Sequence, residues 1–431
     1  MVFKLASAGG GRARTLRSGW GGLLAAIVLA TPVALADLPV EPLGRVLTLP
    51  APSAHWAWVA DFVLRRSSLV DLDSGRMLGM VSTGLFPLTP LNALSRGEAY
   101  QPETYYSRGS RGERTDVLTI YDMTSLVAVD EVVLPPRRAL SAVPDHHAAL
   151  TDDERFAVVF NLTPATSISV VDLEERRLAA EIPTPGCSLV YPVSGRRIAA
   201  LCMDGALLLI GLDDRGAEAS RVRSERFFDP ESDPITEKGA RIGDRWLYAS
   251  FDGFLHEVNL AGRNPIFPEP WSLLSDAERA DDWRIGGTQH LAVHRASGRL
   301  FSLMHQGGAD THKDAGSEIW VYDLASQQRV QRIQVESPGV TIMGFPLEAP
   351  QDWVWPLGAI VDALIDGVGA AIGVNAIRVT QDAEPLLVTA SSFTGGMAIY
   401  NALTGDFVRR IYSGNLINMA VSAPFGAGRG E

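Results

Sequence analysis

Cys187 and Cys202 are the only two thiols in a chain of 431 residues. Between them lies Tyr191-Pro192-Val193-Ser194-Gly195, a turn signal separating two apolar runs. That pattern puts the cysteines on paired strands of one hairpin. No Cys-x-x-Cys spacing and no flanking histidine cluster accompanies them, so the expected chemistry is a disulfide rather than a metal or redox pair. Closing a loop of this length contributes roughly 3 kcal/mol on chain-entropy reasoning. The histidines offer less. His290 and His294 have a metal-binding spacing only on a helix, but Thr288–His294 runs into Ser297-Gly298 and reads as strand, turn, strand. On a strand, positions four apart lie about 13 Å apart. His146 and His147 precede the turn around Asp152-Asp153 and are expected at a sheet surface. His305 and His312 flank Gly307-Gly308 in a loop, where a binding role is open. Carboxylates are plentiful, yet Asp71, Asp122, Asp172 and Asp323 each end an apolar stretch, where Asp shapes turns. No glycine-rich phosphate loop opens a helix, and no Gly-x-Ser-x-Gly elbow is present. The residues give no self-sufficient catalytic set; they suggest a scaffold whose active centre lies on another chain.

The elements that position these residues follow a repeat. An alternating apolar stretch ending in Asp, Asn or Gly, then a turn, recurs with its marker at 71, 122, 172, 211, 259, 323 and 401. The gaps are 51, 50, 39, 48, 64 and 78 residues, and four of them lie near the length of one four-stranded blade, about 40–50 residues. Alternation before each marker indicates half-buried strands. Seven sheets stacked around an axis would bury one another's faces and leave only short edges. The expected fold is all-β, a seven-bladed β-propeller spanning 37–431 as one domain. The ragged fourth marker leaves six or eight blades open, and paired β-sandwiches are the lesser alternative.

The first 36 residues read as a cleaved secretory signal: Lys4, Arg12, Arg14 and Arg17, an apolar stretch Gly21–Ala30, and Ala34-Leu35-Ala36 before Asp37. The expected compartment is therefore outside the cytoplasm. The whole chain carries a net charge of −12, and losing that leader makes it −16. An acidic chain repels nucleic acid and suits a basic protein partner.

The longest gap contains an insertion near 342–373. From Leu357 to Ile372, Leu357, Ile360, Val361, Leu364, Ile365, Val368 and Ile372 form a helical stripe. It is expected either to pack over the propeller or to serve partner docking, with Trp353 and Trp355 beside it as docking candidates. Membrane contact is a further reading, but the segment has no Lys or Arg to meet anionic lipid.

Two runs carry a family resemblance. Ser107-Arg108-Gly109-Ser110-Arg111-Gly112-Glu113-Arg114-Thr115-Asp116, and Leu273-Leu274-Ser275-Asp276-Ala277-Glu278-Arg279-Ala280-Asp281-Asp282-Trp283-Arg284-Ile285-Gly286-Gly287, closely resemble signatures of the heavy subunit of methylamine and aromatic amine dehydrogenases. Cys187 and Cys202 sit where that heavy chain has its cysteine pair. The resemblance implies a seven-bladed propeller, non-catalytic itself, in a periplasmic α2β2 enzyme. The small subunit would carry tryptophan tryptophylquinone, which oxidises a primary amine to an aldehyde and ammonia. Electrons would pass on to a blue-copper protein or a cytochrome c. A phenylalanine of a Gly-Phe-Leu-Pro segment lines the substrate channel in the family. Here the order is reversed, Thr83-Gly84-Leu85-Phe86-Pro87, so Leu85 and Phe86 are both candidates for the channel wall. Which amine is used is left open. A stand-alone exported propeller that only binds or scaffolds is the alternative, and a propeller hydrolase with an axial metal is a third.

Overall fold

The computed structural model describes residues 48–86, 88–140, 145–342, 345–347 and 357–422. The leader at 1–36, and Trp353 and Trp355, lie outside the described residues.

Among the described residues, seven antiparallel sheets of four or five strands follow one another along the chain, each running from an inner to an outer strand, and a two-stranded pair, Thr341–Ile342 with Phe345–Pro346, stands apart from them. Blade 1 is Trp56–Asp61, Arg66–Asp71 and Met77–Ser82, and its innermost strand is Asn418–Ser422 from the far end of the chain. Pairing of Val59 with Val421 and of Ala60 with Ala420 closes the ring. Blade 2 spans Leu91–Leu134, blade 3 Ala148–Pro183, blade 4 Cys187–Arg223, blade 5 Ala240–Ser272, blade 6 Trp283–Gln334 and blade 7 Ala376–Tyr412. The expected seven-bladed propeller is thus the observed fold.

The core lies between blades. Tyr100 and Leu118 of blade 2 pack with Val159 and Val171 of blade 3, and Val388 and Ile399 of blade 7 pack with Val59 and Val70 of blade 1. This stacking changes the burial expected from the alternation. The marker strands Ser167–Asp172 and Leu207–Leu212 are buried at every position, because a neighbouring blade covers each face. Exposure instead falls on outer strands such as Ala128–Leu134.

Each marker ends, or nearly ends, the third strand of its blade. In six blades a register shift precedes the final residues, as between Leu69 and Val70, Ile120 and Tyr121, and Val321 and Tyr322. In blade 4 that shift falls between Gly211 and Leu212. The turn-forming residue there is therefore Asp213, not Gly211. Its carboxylate accepts from the Arg215 and Ala217 backbone N–H at 2.8 and 2.9 Å. Asp172 accepts likewise from Glu174 and Glu175, and Asn401 from Leu403 and Thr404. The Asp and Asn markers do shape turns.

Candidate functional site

In a four-stranded antiparallel blade the turn between strands two and three and the crossing to the next blade emerge on the same face. Here that face carries Phe62, Val63 and Leu64 of blade 1, Leu162 of blade 3, Met203 of blade 4 and Phe393 of blade 7, all exposed. The segment Thr83–Phe86 lies on the same face, in the crossing from blade 1 to blade 2. Leu85 and Phe86 are half-buried. The Phe86 ring stands edge-on to that of Phe62, with centroids 5.7 Å apart. Phe86 has φ +54°, a left-handed conformation that costs a non-glycine residue about 1 kcal/mol or more. Gly84 is required just before it. A Cβ there would lie 2.5 Å from the Thr104 carbonyl oxygen. The result is an aromatic wall, Phe62 and Phe86, on a face that carries exposed apolar side chains from four blades beside the charged turn 108–113 of blade 2.

The first signature run forms the turn between strands Glu98–Tyr106 and Arg114–Asp122 of blade 2. Arg114 closes on Asp116 at 2.7 Å, and Asp116 is fully buried. The second run begins with a five-residue helix, Asp276–Ala280, whose start is a capping box: Ser275 caps the Glu278 N–H and Glu278 reaches back to the Ser275 N–H. Glu278 also receives Arg329 at 2.6 Å. Burial works to raise its pKa, but the Arg329 hydrogen bond and the Ser275 donors outweigh this and hold it at about 2. Trp283, further along the run, packs 5.1 Å from Trp320, with Arg332 over both rings. Both runs therefore build blades rather than a reactive centre.

Cys187 and Cys202 face each other in register on the first two strands of blade 4 and are bonded. His290 and His294 go separate ways: His290 meets the Thr236 hydroxyl at 2.9 Å, and His294 meets Ser297 and the Asp382 carbonyl. His312 stacks on Phe251, and His305 meets the Thr311 hydroxyl. The expectation for His146 is overturned. It lies not at a sheet surface but in the axial channel, its ring 4.5 Å from Tyr191 and 5.2 Å from Trp246. The sequence preceding blade 3 curls inward there, with His146 at φ +62°. Burial pushes its imidazole pKa down. Beside it, Asp145 and Arg378 form an ion pair at 2.5 Å, and Gln289 donates to Asp145 at 2.7 Å. The channel where a metal-dependent propeller hydrolase would hold its ion is thus bridged by an ion pair. Among the described residues, no group of three or more His, Cys, Asp or Glu side chains is placed to hold a metal.

The insertion contains the expected helix, Leu357–Ile372. Its apolar stripe divides in two. Val361, Ile365 and Ile372 are half-buried and Gly369 buried, whereas Ile360, Leu364 and Val368 are 52, 65 and 54% exposed. Gly369 permits the close packing, since a Cβ there would meet the Ser337 hydroxyl at 2.0 Å. Gly373, at φ +67°, ends the helix. Asp366 pairs with Arg410 of blade 7 at 3.1 Å. No helix among the described residues is long and apolar enough to cross a membrane.

Comparison with known proteins agrees with this geometry. A methylamine dehydrogenase heavy chain is 29% identical in Paracoccus versutus, over 87% of this chain and 80% of the relative. Another, in Methylophilus methylotrophus, is 26% identical over 91% of this chain and 92% of the relative. Among solved structures, a functionally unknown protein from Desulfotomaculum acetoxidans superposes with a TM-score of 0.51 at 12% identity, over 85% of this chain and 98% of that one; this likeness concerns the fold alone. The family model for the methylamine dehydrogenase heavy chain matches residues 53–344, and the chain belongs to that family.

Proposed function

We propose that this chain is the large, non-catalytic subunit of a periplasmic amine dehydrogenase. It scaffolds a small subunit that carries tryptophan tryptophylquinone, and it contributes Leu85 and Phe86 to the wall of the amine channel. The complex oxidises a primary amine to an aldehyde and ammonia and passes electrons to a blue-copper protein or a cytochrome c. The quinone supplies the redox chemistry on the partner chain. This chain's residues shape the path to it and exclude water.

The observation that carries the reading is the Phe62–Phe86 ring pair, on a face with exposed apolar side chains from four blades, in a chain of the heavy-chain family. Exposed apolar side chains gathered on one face mark protein–protein contact. The helix Leu357–Ile372 lies in the crossing from blade 6 to blade 7, which emerges on that face, and its exposed Ile360, Leu364 and Val368 extend the docking surface. The signal at 1–36 supports export to the periplasm. Docking is tested by placing a charge on the patch. Phe62→Asp in a tagged chain should lower recovery of the small chain at least tenfold, while Met80→Asp on the outer strand of blade 1 should leave it unchanged. Equal recovery with both variants would move the interface elsewhere.

A further inference from the structure

The segment that bears Phe86 is held from behind by one buried arginine. Arg138 is 1% exposed, in the crossing from blade 2 to blade 3. Its Nη2 donates to the Leu85 carbonyl at 2.7 Å, and its Nε donates to the Thr104 hydroxyl at 3.0 Å. Its own backbone N–H donates to the Asp116 carboxylate at 2.8 Å, and Arg114 Nη2 donates to its carbonyl at 2.6 Å. Thr104 in turn donates to Asp116 at 2.8 Å. The Leu85 N–H donates to the Thr104 carbonyl at 3.0 Å. Leu85 is thus tied through both its N–H and its C=O, in the two peptide groups that flank its Cα, and the next residue, Phe86, sits in a left-handed conformation that needs such support.

We infer that Arg138 is a positioning residue: anchored by Thr104, Asp116 and Arg114, it grips the Leu85 carbonyl and sets the angle at which Phe86 meets the amine channel. This gives the first signature run a purpose beyond building blade 2, because Arg114 and Asp116 are its last charged residues. The planar guanidinium suits the task. It delivers two donors in a fixed fork, Nε to Thr104 and Nη2 to Leu85, which a lysine ammonium does not reproduce. A wall fixed in this way discriminates amines by size, where one methylene in an apolar pocket is worth about tenfold or more in kcat/KM.

The inference rests on the reading of Leu85–Phe86 as channel wall, and the test separates the two. In the assembled complex, Arg138→Lys and the nearly isosteric Thr104→Val are compared with the parent. Two readouts are taken: amide hydrogen exchange at Leu85, and the ratio of kcat/KM for methylamine to that for 2-phenylethylamine with an artificial electron acceptor. Both variants should speed Leu85 exchange by about tenfold and change the ratio by about three- to tenfold, with the effect on the ratio vanishing in a Phe86→Ala background. Unchanged Leu85 exchange in a folded Thr104→Val complex would overturn the positioning role. Faster exchange with a ratio that neither these variants nor Phe86→Ala alters would uphold the positioning of Leu85 and overturn its link to the channel.

Discussion

Asp145 and Arg378, 233 positions apart, meet at 2.5 Å across the axial channel. One precedes the inner strand of blade 3 and the other lies on the inner strand of blade 7, blades that are not neighbours. Gln289, before the inner strand of blade 6, donates to Asp145, accepts from the Val421 N–H and thereby ties in blade 1. Four blades thus share one polar cluster, and the strand that closes the ring is part of it. Asp145→Asn keeps the shape but removes the charge facing Arg378. We expect a loss of roughly 1–3 kcal/mol of stability, read from the urea midpoint. An unchanged midpoint would show that ring closure does not depend on this pair.

His55 forms a second clasp, between blades 1 and 7. Its Nδ1 lies 2.9 Å from Asp73 of blade 1, and its Nε2 lies 3.1 Å from Asp382 of blade 7. Burial alone would lower its pKa, but the hydrogen bond and charge of Asp73, together with Asp382, raise it above 6.5. A raised folded-state pKa contributes stability that is complete below the ordinary value and lost as pH rises through the folded one. The Tm gap between the parent and His55→Gln should therefore be larger at pH 6 than at pH 9. A gap independent of pH would mean that the imidazole is not charged in the clasp.

Glu278 behaves in the opposite sense. With its pKa held at about 2 against an ordinary 4.5, its contribution is present above about pH 4.5 and is lost as pH falls toward 2. Glu278→Gln should cost roughly 1–2 kcal/mol near neutral pH, and the cost should shrink on acidification below pH 4. Denaturation curves at pH 7 and pH 3 check this; an equal cost at both would place the effect in packing rather than charge.

The insertion helix should matter to partners more than to folding. Leu364 is 65% exposed, so Leu364→Gln is expected to move stability by less than about 0.5 kcal/mol. Assembly with the small chain, followed by sedimentation, should weaken. Deleting Asp352–Gly373 should likewise leave the propeller folded and change docking or acceptor kinetics. Unaltered assembly and kinetics in both would make the helix a surface ornament of blade 7.

Much of the fold was legible because propeller blades repeat a short signal: an apolar strand closed by a side chain that bonds its own turn. The signal failed at Gly211 because the strand runs two residues further than the marker suggested: the bulge between Gly211 and Leu212 stands just ahead of the turn residue Asp213, as it does ahead of the Asp or Asn of five other blades. The helix Leu357–Ile372 was visible in its periodicity, but the division of its stripe into packed and exposed faces depends on Gly369 meeting Ser337, a contact between segments 32 residues apart. His146 was misplaced for a similar reason, since nothing local reveals that its chain enters the axial channel. Arg138 was missed altogether. The second of two adjacent arginines after Pro135-Pro136 carries no pattern, and its importance comes from Leu85, Thr104 and Asp116, brought together only where the crossings on either side of blade 2 meet its middle strands.

Amine-driven reduction of an artificial electron acceptor, measured on the purified complex before and after removal of the small chain, is the deciding experiment. A small, disulfide-rich, quinone-bearing chain should copurify, the complex should act on a primary amine, and that activity should be lost completely when the small chain is stripped away. Activity that persists in the isolated large chain, or a chain exported without such a partner, would contradict the subunit role.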